Sequence, residues 1–118
     1  MIFKRPLAEA VRDGRKTVTR RAISDNPRSP YHPDQAPSME GKRIAIQPGR
    51  GVTRIATARV AGITRERFAP LNITQEEARR EGFADRADFL KTWRELHGIV
   101  FRLHVWRIEL ADVEAVDA

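Results

Sequence analysis

Apolar positions along the chain fall into short runs with distinct periods. Ile2-Phe3-Lys4 reads as a short first strand. Pro6 suits the first helical turn, which leaves its N–H groups unpaired anyway. Leu7, Ala10 and Val11 then share one helical face, and Gly14 stops the helix. The pattern predicts a helix from about Pro6 to Asp13, then a tight turn. Arg43-Ile44-Ala45-Ile46 reads as a strand and Pro48-Gly49-Arg50-Gly51 as a turn. Val52 to Ile63 is rich in β-branched residues and reads as one long strand, broken near Gly62. Thr74 with Glu77 has the capping-box pattern and starts a short helix toward Arg80. Asp85 with Asp88 starts another. Phe89, Leu90, Trp93 and Leu96 give it one apolar stripe, and Gly98 closes it.

Ile99 to Leu110 is the clearest strand. Phe101, Leu103 and Val105 alternate on one phase, and Trp106, Ile108 and Leu110 on the other. A change of phase within a strand predicts a bulge or sharp bend, a device that closes small barrels. Ser24 to Gly41 holds Pro27, Pro30, Pro33 and Pro37, has few aliphatic residues and shows no periodicity. The 24–41 segment is therefore a long irregular loop, either a binding loop or a disordered insertion. Tyr31 and His32 are its residues able to contact a ligand. The acidic end, Ala111 to Ala118, is expected to fray. These elements predict a single α+β domain over residues 1–118, a small, mostly antiparallel β-barrel with about three short helices.

Composition narrows the setting. A chain of 118 residues, 41% of them apolar, fits one domain with one core. It has no apolar run long enough for a transmembrane helix, and Met1 to Pro6 has none that would serve as a signal peptide. With no cysteine, disulfides and thiolate chemistry are excluded. The expected setting is the cytoplasm, without a membrane partner, and the expected state is a monomer. The formal charge is +6, mostly from arginine, which favours anionic partners such as phosphate. Acidic residues gather in Glu76 to Asp88 and Glu109 to Asp117, while Lys4 to Arg67 is basic, so one side is expected to carry the positive field.

The densest cluster of chemistry is Gly14-Arg15-Lys16-Thr17-Val18-Thr19-Arg20-Arg21. It carries four cations and two hydroxyls directly after a glycine stop. Such groups in a turn can converge on one anion or polar ligand, with arginine as a planar donor fork and lysine as a point charge. Spacing alone favours a solvated basic turn that leads into an ordinary strand.

The same stretch resembles the signature of the ASCH family, within the PUA-like superfamily: a glycine, a lysine two residues on, and an arginine five beyond it, here Gly14, Lys16 and Arg21. The surrounding order is similar too. A Phe-Lys-Pro-like strand and short helix come before it. Ile73 to Phe83, a Phe89…Trp93 helix and an aromatic closing strand come after it. The resemblance covers nearly the whole chain except the proline-rich loop and the tail. It implies a PUA-like β-barrel with a cleft suited to RNA or nucleosides. Some members resemble RNA-binding regulators or are linked to RNA cleavage. A small bacterial subgroup removes acyl groups from the exocyclic amine of N4-acetylcytidine and related nucleosides. That subgroup uses a lysine, a threonine three residues later and a glutamate after the long strand, which Lys16, Thr19 and Glu81 match. Phe3, Arg15, Thr17, Arg20, Arg21 and Tyr31 are the accompanying candidates for substrate binding. No metal or other cofactor is called for. The three histidines, His32, His97 and His104, are too scattered to mark a metal site.

Amide hydrolysis needs a nucleophile, a proton shuttle and a stabilised oxyanion. Thr19 can attack if Lys16 takes its proton. An ordinary lysine, with a pKa of about 10.4, stays protonated at neutral pH, so this one has to be lowered to about 8. Desolvation or the neighbouring arginines would do that, and a closely paired Glu81 would oppose it. Positions three apart lie on opposite faces of a regular strand, so catalysis predicts that Lys16 to Thr19 is not a simple strand. The competing role is an RNA-binding module, in which Arg50, Arg54, Arg65 and Arg67 track phosphates. Phe83, Phe89, Trp93 and Trp106 read as core.

Overall fold

A computed structural model of the chain describes residues 1–98 and 103–116. Strands β1 (Val18–Ala22), β2 (Arg43–Ile46), β3 (Ala56–Phe68) and β4 (Leu103–Ala115) form one sheet in the order β1-β4-β3-β2. Every pairing within it is antiparallel. Three helices accompany it: α1 (Arg5–Arg12), α2 (Gln75–Arg80) and α3 (Arg86–His97). Short polar caps set two of them. Thr74 accepts from the Glu77 N–H and Asp85 from the Asp88 N–H, so each satisfies an N–H that the first turn leaves open. Ile2 forms an isolated bridge to Gln47, so the expected first strand is reduced to that bridge. Among the described residues no helix is long and apolar enough to cross a membrane.

The phase change in β4 has a different cause from the one expected. Val105 and Trp106 are both buried, and the β3–β4 register runs regularly past them. Adjacent strand residues point to opposite faces, so both faces of the sheet are covered here. Trp106, Ile108 and Leu110 pack with Phe3, Val11, Ile46 and Val60, beneath α1 and the loop residue Ala36. Val105 packs with Phe68, Phe89 and Trp93, beneath α2 and α3. The register shifts lie elsewhere: between Val60 and Gly62 on β3, near the predicted break, and between Thr57 and Arg59, opposite Asp112. Asp112 takes a φ of 50°. Phe101, with residues 99, 100 and 102, lies outside the described residues.

Three expectations need correction. The sheet is open, with β1 and β2 at its edges and no pairing between them among the described residues. Where a barrel would enclose its own interior, α1 and the 24–41 segment supply the facing core instead. That segment is irregular apart from a 3₁₀ turn over Ala36–Met39, and it is tied down: Ala36 is buried, and the Tyr31 carbonyl accepts from Trp106 Nε1 at 2.7 Å. The acidic end does not fray from Ala111 onward. Its alternation lets Ala111, Glu114 and Ala115 pair with Arg59, Thr57 and Ala56, while Asp112 and Glu114 face solvent. Finally, the long central strand begins at Ala56 and continues to Phe68, because the polar run beyond Ile63 still pairs with β4.

Candidate functional site

The site is assembled where the chain leaves α1. Gly14 adopts a φ of 79°, and the N–H groups of Arg15 and Lys16 both donate to the Ala10 carbonyl. This tight turn keeps Lys16 out of the strand, which starts at Val18. Alternation then splits the segment. Lys16 turns inward and is 2% exposed, while Arg15 and Thr17 turn the other way.

Helix α2 meets this segment end-on. It closes in a Schellman motif: Gly82 N–H donates to Arg79 O and Phe83 N–H to Ala78 O, with Gly82 at a φ of 95°. The last two carbonyls find partners across the gap. Arg80 O accepts from the Thr17 N–H at 2.8 Å, and Glu81 O accepts from Lys16 Nζ at 2.6 Å. Lys16 Nζ also donates to Val18 O at 2.8 Å and to Glu81 Oε1 at 3.0 Å. A cation at a helix C-terminus is the favoured arrangement there. Gly82 matters for space as well, because a Cβ on it would sit 3.0 Å from Lys16 Cβ.

Lys16, Thr19 and Glu81 are the buried polar or charged residues of the described chain, and all three line one cavity of about 600 Å³. Phe3, Leu7, Phe83, Phe89, Trp93 and His97 supply much of the remaining wall. Thr19 lies on the sheet face of Ile108, its cross-strand partner, whereas Arg20 lies on the opposite face with Arg107. Both line the cavity because β1 is an edge strand and the cavity wraps around its open side. Thr19 Oγ1 accepts from Arg21 Nε at 3.3 Å. Arg21 Nη2 donates to Ile2 O, and its guanidinium stacks 4.6 Å from the Phe3 ring and 5.7 Å from Tyr31.

Electrostatics follow burial. Desolvation lowers the pKa of Lys16, the Glu81 charge and hydrogen bond oppose it, and Arg21 and Arg20 add to the lowering. The Arg20 side chain is 5% exposed, and its pKa is raised: burial works against the charge, but its hydrogen bonds to Glu66, Glu81 and Glu77 outweigh it.

The residues expected to bind substrate divide accordingly. Phe3, Arg20 and Arg21 line the cavity. Arg15 does not: it is exposed, 3.4 Å from Asp13, and borders a separate, more open pocket with Thr17, Arg79 and Arg80. Thr17 Oγ1 accepts from Arg80 Nε at 3.3 Å on that side. Tyr31 stands behind Arg21, outside the cavity wall. Phe83, Phe89 and Trp93, read as core, are both core and wall. Trp93 Nε1 is buried and has no hydrogen-bond partner among the described residues. In the sequence Glu66 and Arg107 are ordinary surface residue types and Glu77 carries only the signal of a helix start; the place of all three here rests on contacts between distant segments.

No protein-family model matches the sequence, and no curated protein matches it. Solved structures do. The crystal structure of ASCH from Zymomonas mobilis aligns with 95% of this chain at a TM-score of 0.61 and 18% identity. An S128A mutant of the Zymomonas mobilis protein aligns at a TM-score of 0.56 and 21% identity, again over 95% of this chain. A protein of Enterococcus faecalis V583, assigned to the DUF984 family model, aligns over 95% of this chain and 74% of its own, at a TM-score of 0.55 and 19% identity. This chain spans 65% and 66% of the two Zymomonas chains. At such identities the likeness is one of backbone architecture, and an open antiparallel sheet with three helices, in this order, is an ASCH-like fold.

Proposed function

We propose that the chain is an amidohydrolase that removes the acyl group from the exocyclic amine of N4-acetylcytidine and related N4-acylated cytidines. The observation that supports this best is the convergence of Lys16, Thr19 and Glu81 on one cavity. Its volume, about 600 Å³, falls within the range of about 300–1,000 Å³ usual for small-molecule sites. Aromatic walls with a few buried polar groups suit a nucleoside.

In this reading Thr19 Oγ1 attacks the acyl carbonyl carbon while the uncharged Lys16 amine accepts the hydroxyl proton. Lys16 becomes uncharged by losing a proton to bulk water, a loss that its burial favours. The carbon–nitrogen bond then breaks, and the proton held by Lys16 passes to the departing exocyclic nitrogen, which leaves as cytidine. The acyl group remains as a threonyl ester. Water attacks that ester, Lys16 takes the water proton and returns it to Thr19 Oγ1, and a carboxylic acid departs. The net change consumes one amide and one water. Arg21, already donating to Thr19 Oγ1, supplies positive charge where the oxyanion develops.

The test is incubation with N4-acetylcytidine, with cytidine followed by chromatography. Release by the wild type and its loss in Thr19→Ala, with unchanged circular dichroism, supports the reading. No release, or equal turnover by Thr19→Ala and Lys16→Ala, ends it.

A second reading, RNA binding, draws on Arg15, Arg79 and Arg80 around the open pocket outside the cavity. It predicts affinity for short single-stranded RNA that falls steeply with salt. Absence of binding at low salt removes it.

A further inference from the structure

Arg20 is engaged through every nitrogen of its side chain. Its Nε donates to Glu66 Oε1 at 3.0 Å, Nη1 to Glu81 Oε2 at 2.9 Å and Nη2 to Glu77 Oε2 at 2.8 Å. Its guanidinium lies 4.7 Å from the Phe68 ring centre. The three carboxylates come from β3, from α2 and from the C-cap of α2. Glu77 is in turn held by Arg107 Nη2 at 2.9 Å, and Arg107 donates to Glu109 at 2.6 Å. The chain of ion pairs therefore runs from the cavity wall across one face of the sheet.

We infer that Arg20 is a positioning residue, not a substrate-binding one: by holding Glu81 Oε2 it turns Oε1 onto Lys16, and Glu66 and Glu77 hold Arg20 itself in place. With each nitrogen of Arg20 committed to a carboxylate, the guanidinium is poorly placed to grip a ligand. A carboxylate without this second anchor is free to rotate about its last bond and to pair with Lys16 through either oxygen. Arg20 also shares the Glu81 charge, so Glu81 holds the Lys16 proton less tightly than a lone carboxylate would. This assignment rests on the proposed hydrolase reading for its catalytic meaning, but its geometry does not.

Two readouts separate these questions. The chain contains four lysines, Lys4, Lys16, Lys42 and Lys91, so the Lys16 side-chain carbon can be followed by NMR across pH and identified by its loss in Lys16→Met. The charged groups around Lys16 and Glu81 are Arg20 and Arg21 of β1, Glu66 of β3, Arg107 of β4 and Glu77 of α2, with Lys4 and, from α3, His97 on the same cavity. Arg20→Gln removes a cation and frees Glu81, so the Lys16 midpoint moves up. Glu77→Gln removes an anion and leaves Arg20 less compensated, so it moves down. The activity of Arg20→Gln on N4-acetylcytidine is expected to fall about 10²-fold in kcat, with KM changed by less than about twofold. Arg20→Lys, which keeps the charge, recovers part of it. If Arg20→Gln does not fold, Arg20→Lys and Glu77→Gln carry the comparison. Unchanged Lys16 midpoints in the folded variants, or a KM effect without a kcat effect, overturn the inference. A wild type without hydrolase activity ends the hydrolase reading, while the opposed midpoints still decide the positioning role.

Discussion

Lys16 Nζ reaches Glu81 twice, at 3.0 Å through the carboxylate and at 2.6 Å through the backbone carbonyl. The pair joins two segments sixty-five residues apart and is nearly free of solvent, with side chains 2% and 5% exposed. Burial makes the pair sensitive to loss of one member, because the survivor is left as a buried charge. Lys16→Met is expected to cost about 3–5 kcal/mol in urea unfolding. The double variant Lys16→Met/Glu81→Gln should cost less than the sum of its singles. Full additivity would mean that the two groups do not depend on each other.

Thr19 should separate chemistry from stability. Its hydroxyl accepts one side-chain hydrogen bond, from Arg21 at 3.3 Å, so Thr19→Ala should cost only about 1 kcal/mol. Its effect on kcat for N4-acetylcytidine should be a loss of about 10³-fold or more, with Thr19→Ser retaining part of the rate. A threonine variant that unfolds easily but, when folded, turns over normally would contradict this assignment.

Gly82 couples backbone conformation to the site. At a φ of 95° an alanine is strained by about 1–2 kcal/mol, and its Cβ would also meet Lys16 Cβ at 3.0 Å. Gly82→Ala should therefore lower both the melting temperature and the activity. Gly98→Ala, also at positive φ but with nothing near its Cβ among the described residues, should lower stability alone.

Two groups make stability rise with pH, each in its own range. Lys16 is lowered in the folded chain, chiefly by desolvation, so between that value and the ordinary lysine value of about 10.4 the unfolded chain binds more protons at this position. Its contribution to stability therefore rises with pH across that window. Activity should rise with pH through the lowered Lys16 pKa, and Lys16→Ala should abolish that limb.

Glu77 acts at the acid end. Burial raises its carboxyl, but hydrogen bonds from Arg107 and Arg20 overcome this and bring it down to about 2 from 4.5. Its contribution is present above the unfolded-state value and is lost as pH falls toward about 2. In an acid titration followed by circular dichroism, Glu77→Gln should weaken the loss of stability below pH about 4.5. An identical acid profile in the variant would show that the Arg20 and Arg107 contacts do not persist in solution.

Much of the local structure was legible in the residues. The capping pairs Thr74–Glu77 and Asp85–Asp88 mark real helix starts, and Arg43–Ile46 is a strand as its pattern predicts. These signals are local: a side chain two or three positions away satisfies an N–H, and alternation follows from the backbone period. The bend before Val18 was legible too, because Lys16 and Thr19 cannot share one side of a regular strand. The phase change at Val105–Trp106 was legible as a pattern but not as a cause, since a bulge and two covered faces leave the same trace in one strand.

By itself, then, the sequence determined the helices, most strand positions, the turn at Gly14 and the reactive residue types that follow it. Tertiary structure alone decided that the sheet stays open, that its tail pairs through Ala115, and that Arg15 and Thr17 face away from the cavity. It alone brought Glu66, Glu77 and Glu81 onto Arg20, across 46, 57 and 61 residues of chain. Such contacts leave no periodic trace, because they depend on how β1, β3 and α2 dock and not on any spacing along the chain.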